Sequence, residues 1–383
     1  MSALGKRGDT GNWLRSMDRT ALVAMVALIA LGLMLAFAAS PAATGGPLTE
    51  GDFRYAAKQI AFAAVAVLIL AATSVMPLRT VKISGAFVYV AAVIGSAIAL
   101  FAGHAAFGAK RSIDFGLLTL QPSEFLKPSF AVLAAAVLAD RGKLIVRKEV
   151  AAFVIAAPAL LILVLQPDVG QTALLLALWG ALLFFNGVSV PFIGVLAGAS
   201  AALGGLAYLL FPHVHHRINQ FFDPQQTGYQ AGLALKAFAH GGLAGVGPGA
   251  GTVKYHLPEA HSDFIFAVAG EEFGILLCTA IATLFCVLCV SLLLRSARTG
   301  DAFSKLAGAG LAIVVALQAF INMGVAVSLL PTKGMTLPFI SYGGSSLFAV
   351  ALTMGFALAV TRQRSKIGES DCELFGFLRK ADA

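Results

Sequence analysis

Ten apolar runs succeed one another along the 383 residues, near 20–39, 54–75, 83–103, 123–139, 150–166, 169–186, 189–211, 263–294, 306–330 and 342–361. About 20 apolar residues are what a helix needs to cross the hydrocarbon core of a bilayer. In that core the backbone finds no water to bond, so a crossing segment must satisfy its own amides and carbonyls. These runs are longer than barrel strands. The chain is therefore expected to be an all-α membrane protein, a polytopic bundle of ten transmembrane helices. Composition agrees: 58% of residues are hydrophobic and 12% charged, against about 25% charged in soluble domains. The run at 263–294 is long enough to tilt or kink. Neither a solenoid period nor two matching hydropathy halves is present.

Cytoplasmic loops retain Lys and Arg. With the N-terminus placed inside, loops that would be cytoplasmic hold 18 of the 27 basic residues, so both ends are read as cytoplasmic. This divides the chain into an N-terminal segment 1–19, a transmembrane domain 20–363 and a tail 364–383. The net charge of +8 requires no nucleic acid, because anionic lipid is the ordinary partner of juxtamembrane Lys and Arg. Ala36-Phe37-Ala38 resembles a signal-peptidase site, but the apolar stretch before it exceeds the 7–15 residues of a signal peptide. An uncleaved first helix is expected. Cys278, Cys286 and Cys289 share one apolar run, and Cys372 lies in the tail, so neither a disulfide nor a metal site is expected of them.

Two outer loops are long, 104–122 and 212–262, the latter between the seventh and eighth spans. In the larger one, Tyr229 to His240 has apolar residues at helical spacing and reads as an interfacial amphipathic segment. Gly241 to Gly251 holds six glycines, so the stretch either bends freely or approaches something closely with bare backbone; a flexible hinge is favoured over a phosphate cradle, and no Walker pattern follows. His213, His215 and His216 read as a solvated cluster, with no cysteine or carboxylate near in sequence to complete a metal site. Glu124 and Lys127 stand three apart, on one helical face, either as a self-neutralising pair or as a charged cavity wall. Asp168 follows a proline at the start of the sixth run, where an acid caps a helix.

The stretch "HLPEAHSDFIFAVAGEEFG" concentrates Glu259, His261, Asp263, Glu271 and Glu272 at the mouth of the eighth run. Charge inside a span is costly and marks function. Glu271 and Glu272 lie too deep to cap the helix, so the group is read as a polar cavity opening outward. Cations for it are available at Arg111, Arg217, Lys254 and Lys333. Acids with several cations suit an anionic, lipid-linked substrate such as a pyrophosphate, and the residues alone leave transport and catalysis both open.

The segments "GAKRSIDFGLLTLQPSEFLK", "LQPDVG", "LPEAHSDFIFAVAGEEFG" and "LLPTKGMTLPFISYGGSS", in this order on ten spans, closely resemble the SEDS family (shape, elongation, division and sporulation) over about residues 18 to 365. "PTKGMTLPF", with Lys333 and Thr336, sides with the family's division members over its elongation members. The resemblance implies a peptidoglycan glycosyltransferase of the bacterial inner membrane that polymerises lipid II on the outer face during septal wall synthesis, and it puts the family's essential aspartate at Asp263. It implies inverting transfer with Asp263 as general base, and substrate contacts drawn from Arg111, Glu124, Lys127, Arg217, Glu259, His261, Lys333 and Ser341. Asp168, Glu271 and Glu272 would shape the cavity. A divalent ion, Mg2+ or Mn2+, is a candidate aid to the leaving pyrophosphate; no other cofactor is expected. Expected partners are lipid II, the growing glycan strand, membrane lipid, a class B penicillin-binding protein and other division proteins. The family usually carries a tryptophan where this chain has Ser112, which removes an interfacial aromatic anchor from the first outer loop. A lipid II flippase and a non-catalytic division scaffold are the rival functions.

Overall fold

The computed structural model describes residues 17–44, 53–106, 109–114, 116, 119–140, 147–210, 215, 219, 229–331 and 334–362. Its helices are α1 (Arg19–Thr44), α2 (Arg54–Ser74), α3 (Leu78–Ala102), α4 (Ser123–Leu138), α5 (Lys148–Leu165), α6 (Val169–Phe185), α7 (Val190–Leu210), α8 (Tyr229–Gly241), α9 (Ile265–Ala297), α10 (Ala302–Ala326) and α11 (Gly344–Thr361). Eight of the described helices are long and apolar enough to cross a membrane: α1, α2, α3, α5, α7, α9, α10 and α11. The protein is a multi-pass helical membrane protein. The runs at 123–139 and 169–186 form the shorter α4 and α6, of 16 and 17 residues, about 25 Å long at 1.5 Å per residue.

α10 and α11 form the centre, buried along most of their length. α11 packs on α2, α10 on α4 and α9, and α9 on α1, while α7 packs against α6 at the periphery. At one end Asp18 caps α1 by accepting from the Ala21 amide at 3.2 Å, and its other oxygen accepts from Ser291 at 2.6 Å, tying α1 to α9. The all-helical expectation needs one correction. After α3 the chain folds into a small antiparallel sheet, β1 (His104–Ala106), β2 (Ala109–Asp114) and β3 (Thr119–Leu120), in that order, with His104 opposite Ser112 and Ile113 opposite Leu120. Hairpin pairing lets this polar loop satisfy its backbone locally.

The long run breaks where α9 reaches Gly274, whose backbone (φ 74°, ψ −175°) is not helical. The break is mended from outside the helix. The carbonyls of Glu271 and Glu272 accept from the amides of Val246 and Gly247 at 3.0 Å each, and the amides of Ile275 and Leu276 donate to the carbonyls of Gly242 and Leu243 at 3.0 and 3.3 Å. Only bare backbone can come this near: a Cβ on Gly245 would lie 2.2 Å from the Glu272 carbonyl oxygen, and one on Gly274 2.3 Å from that of Leu243. The glycine-rich segment is therefore a packed insert, and the hinge reading is overturned by its close approach to α9.

The same insert claims both glutamates of α9. Glu271, fully buried, accepts from the consecutive amides of Thr252, Val253 and Lys254 at 2.7–2.9 Å and contacts His240 Nδ1 at 2.9 Å. Three successive amides form a nest that offsets the cost of burying the carboxylate. Glu272 pairs with Lys254, whose ammonium also donates to the Ala38 carbonyl of α1 at 2.8 Å. Both side chains are almost wholly buried (Lys254 1%, Glu272 0% exposed). Glu271 and Glu272 thus fasten the large loop to α9, and Lys254 is no free cation for a substrate. Sequence distance had suggested otherwise, because spacing along a helix cannot show which loop folds back on it.

Gly245→Ala should lower the unfolding temperature in detergent well below that of Gly249→Ala, since both positions have positive φ but a Cβ at Gly249 meets nothing within 4 Å; overpacking of this kind costs about 1–3 kcal/mol. Equal shifts would mean that the insert is not packed on α9. Lys254→Met should destabilise by about 3–5 kcal/mol, because it leaves Glu272 buried without its partner. Pairing it with Glu272→Leu should recover much of the loss in a denaturation series, whereas simple additivity would contradict the ion pair.

Candidate functional site

Asp263 lies in the short segment that leads into α9, where turns closed by the amides of Ser262 and Phe264 on the Glu259 carbonyl (3.1 and 3.2 Å) prepare the helix start. Its carboxylate keeps an accessible edge but is otherwise surrounded by protein. Bare backbone of the α10–α11 loop lies against it, since a Cβ on Gly334 would stand 3.1 Å from Asp263 Oδ2. Among the described residues no donor or cation binds this carboxylate. Burial, and then the negative charges of Glu259 and Glu124, raise its pKa from 3.8 to about 7. A carboxyl poised there can take a proton near neutral pH, as a general base must.

Behind it is a buried polar wall. Lys127 on α4 pairs with Glu124 at 2.7 Å and donates to Gln318 Oε1 on α10 at 3.2 Å. Glu124 also accepts from Gln171 Nε2 on α6 at 2.5 Å. Gln318 in turn donates to the carbonyl and hydroxyl of Thr336 at 3.2 and 3.4 Å, and Thr336 shares a 2.5 Å hydroxyl hydrogen bond with Ser346. Both ionic groups are nearly inaccessible (Glu124 5%, Lys127 3%), so the pair neutralises itself while its carboxylate still acts on Asp263 through space.

Arg111, on β2, reaches Asp168 at 3.6 Å and donates to the carbonyls of Gln166 and Pro167 at 3.2 and 2.8 Å. Asp168 caps α6 by accepting from the Gln171 amide at 3.2 Å. Burial raises its pKa and the Arg111 charge opposes that rise. The Arg111 side chain remains 28% exposed, although each of its guanidinium nitrogens has a partner.

His261 stacks into a three-ring group with Tyr55 of α2 and Tyr342, at centroid distances of 4.8 Å to Tyr55 and 5.4 Å to Tyr342, with 5.1 Å between the tyrosines. Burial lowers the His261 pKa, against the opposing charge of Glu259. Glu259 accepts from the Ser262 hydroxyl at 2.6 Å. Ser341 has its hydroxyl engaged, donating to the Ser262 carbonyl at 2.5 Å and accepting from the Leu337 amide at 2.7 Å. It is 4% exposed, so its place is to join two backbone segments, and a substrate contact would have to break those bonds.

Arg217, Lys333, His213 and His216 lie outside the described residues. Among the described residues, no three His, Cys, Asp or Glu side chains converge to hold a metal ion, so they do not fit a protein-built cage for a divalent ion. Sequence reading missed Gln171, Gln318 and Asn322. The last two stand four apart in an otherwise apolar helix, a spacing that puts both amides on one face and that could have marked them.

A family model described as cell cycle protein (FtsW, RodA, SpoVE) matches residues 19–366. A Caulobacter vibrioides protein named probable peptidoglycan glycosyltransferase FtsW is 40% identical over 380 residues, covering 98% of this chain and 97% of its own length. A Tolumonas auensis protein of the same name is 34% identical, covering 91% and 92%. Among solved structures, a chain of a peptidoglycan synthase complex that coordinates polymerization and crosslinking superposes with a TM-score of 0.75 at 25% identity, covering 90% of this chain and 97% of that one. The rod shape determining protein RodA of Thermus thermophilus shares the fold, with a TM-score of 0.67 at 23% identity over 91% of this chain and 98% of its own. The chain belongs to the FtsW/RodA/SpoVE family of cell cycle proteins.

Proposed function

We infer that the protein is a peptidoglycan glycosyltransferase that polymerises lipid II into glycan strands, with Asp263 as its general base. The observation that carries the role of Asp263 is a carboxylate without a partner among the described residues, raised to about 7, beside a loop of the site and near a self-neutralised ionic pair. Names borne by relatives over nearly the whole chain support the reaction class.

The donor sugar is held by an α-linked pyrophosphate and the product linkage is β, so one inverting displacement suffices. Asp263 takes the proton of the acceptor GlcNAc 4-hydroxyl as that oxygen forms its bond to the donor's anomeric carbon. The anomeric bond to pyrophosphate breaks, and the electron pair leaves with the phosphate. Pyrophosphate needs cations more than a general acid. Arg111 has a partly exposed side chain and would have to trade some of its present contacts for the phosphates, with Arg217 and Lys333 as further candidates, while Lys127 is buried and committed to Glu124 and Gln318. Glu259 and His261 would border the acceptor.

In this reading all ten long helices cross the inner membrane, the shorter α4 and α6 included, with both termini cytoplasmic and Asp263 on the outer face at the division septum. The loop of residues 212–262 would then be outer, pinned to α9 beside the substrate. A class B penicillin-binding protein is the proposed partner, since the synthase complex that this chain resembles coordinates polymerization with crosslinking.

Glycan formation from labelled lipid II by the purified chain with its transpeptidase should fall roughly 10²–10⁴-fold in Asp263→Ala and Asp263→Asn. Native rates in folded variants would remove Asp263 as base, and lipid II movement without polymer would favour a flippase. The native rate should rise with pH through about 7, as the carboxyl ionises. Stability should run the other way. A carboxyl whose folded-state pKa stands above its ordinary 3.8 contributes most below that value and loses its contribution as pH rises through about 7. Asp263→Asn, though inactive, should therefore unfold at a higher temperature than the native chain at pH 8.

A further inference from the structure

Three successive backbone carbonyls lead up to the side chain of Asp263, and each is held by a different donor. His261 O accepts from the Tyr342 amide at 2.9 Å, Ser262 O from the Ser341 hydroxyl at 2.5 Å, and Asp263 O from Asn322 Nδ2 at 2.8 Å. The first two donors belong to the α10–α11 loop. The third comes from near the C-terminal end of α10, from a side chain only 1% exposed.

Asn322 uses both of its donors on backbone. Besides Asp263 O it donates to Met335 O at 2.6 Å, one residue beyond the Gly334 that covers the Asp263 carboxylate. A single amide thus sets the separation between the segment carrying the base and the backbone that roofs it. Its own acceptor, Oδ1, finds no donor among the described residues, and a buried acceptor left unsatisfied is a cost that packing alone gives no reason to keep. A Leu or Met would fill the space without it. One turn earlier on the same face, Gln318 accepts from Lys127 and donates to Thr336. The α10 face therefore gauges the base, its roof and the ionic pair from one rigid element.

We propose that Asn322 is a positioning residue for the transfer reaction: by holding the carbonyls of Asp263 and Met335 at once, it aims the Asp263 carboxylate and keeps it under the α10–α11 loop. The proposal rests on Asp263 being the base. Asn322 acts through Asp263 and is not required to touch substrate. Gln318 assists by fixing Lys127 and Thr336 in the same frame. The charged and titratable groups around Asp263 are Glu259 and His261 of its own segment and Glu124, with its partner Lys127, on α4; Lys333, in the adjoining loop, is outside the described residues.

The test is the pH dependence of glycan polymerisation from labelled lipid II by the full chain with its transpeptidase, for Asn322→Ala, Asn322→Asp and Asp263→Ala. Aspartate keeps the shape of asparagine and can hold at most one of the two carbonyls, and that only while protonated. If the hydrogen bonds matter, both Asn322 variants should lose about 10–100-fold in kcat, as a displacement near 1 Å can cause, with KM for lipid II changed less than about threefold. In Asn322→Ala the acidic limb of the rate should also move from about 7 toward the ordinary carboxylate range, because a loosened Asp263 turns toward water. Native kcat and an unmoved limb in Asn322→Ala would overturn the proposal, as would native kcat in the isosteric Asn322→Asp. Should alanine prevent folding, Asn322→Gln keeps the donors on a stem one methylene longer; it should still lower kcat and shift the limb, and native behaviour there would equally overturn the proposal. Asp263→Ala separates the two claims: if it polymerises normally the base assignment fails, whereas a dead Asp263→Ala beside a native Asn322→Ala fails the positioning role alone.

Discussion

The hydrogen bonds that α9 forfeits at Gly274 are remade by the backbone of residues 242–247, and the end of the bundle carrying Asp263 depends on that repair. A break in a membrane-spanning helix is tolerable only where other groups satisfy the freed amides and carbonyls. Here the same segment that mends the break continues into the nest around Glu271 and the lysine that pairs with Glu272. Loop and helix are thereby one unit, and Lys254 carries the tie across to α1 through Ala38. The N-terminal stub of α9, from Ile265 to Phe273, is held from several sides, and Asp263 stands at its entrance.

Charged side chains near that entrance divide by whether their charge has been matched. Glu271, Glu272 with Lys254, Glu124 with Lys127, and Asp168 with Arg111 all have partners, as buried ionic groups must if they are to stay ionised. Asp263 has none among the described residues, and Glu259 and Glu124 press further negative charge on it. Among the described residues Asp263 combines disfavoured ionisation with the lack of a matching cation, the condition that makes a carboxylate basic enough to accept a hydroxyl proton. The unmatched acid is therefore more informative than the matched ones, although in sequence all of them look alike.

Much of this was legible in advance. The ten runs reappear as helices α1–α7 and α9–α11, eight of them long and apolar enough to cross a membrane, because helix formation in lipid follows from apolar length. The Glu124–Lys127 pair and the Asp168 cap were readable from i, i+3 spacing and from a helix start, both local rules. What escaped was set by contacts distant in sequence. Six glycines read as a hinge when they are the smooth face of a packed insert, and nothing local in Glu271 names Thr252 to Lys254 as its donors. The three-stranded sheet was missed because strands of two to six residues leave too short an alternation to read. Gln318 and Asn322 were passed over because an amide lowers the hydropathy of a 25-residue helix only slightly, yet its donors and acceptor must all be accounted for once buried.

That last omission bears on how such a site can be built at all. A base with a raised pKa needs few hydrogen bonds to its carboxylate, since each donor would favour the charged form and draw the pKa down again. Its orientation must then be imposed through the backbone. The three carbonyl contacts at 261, 262 and 263 meet that requirement: they fix where the side chain of Asp263 begins without donating to its oxygens. Neutral donors suit the task better than cations, because an ammonium or guanidinium placed on the Asp263 carbonyl would stabilise the nearby carboxylate through space. A buried asparagine near the end of a largely apolar helix is the kind of residue this logic selects, polar enough to hold two carbonyls and uncharged enough to leave the base a base.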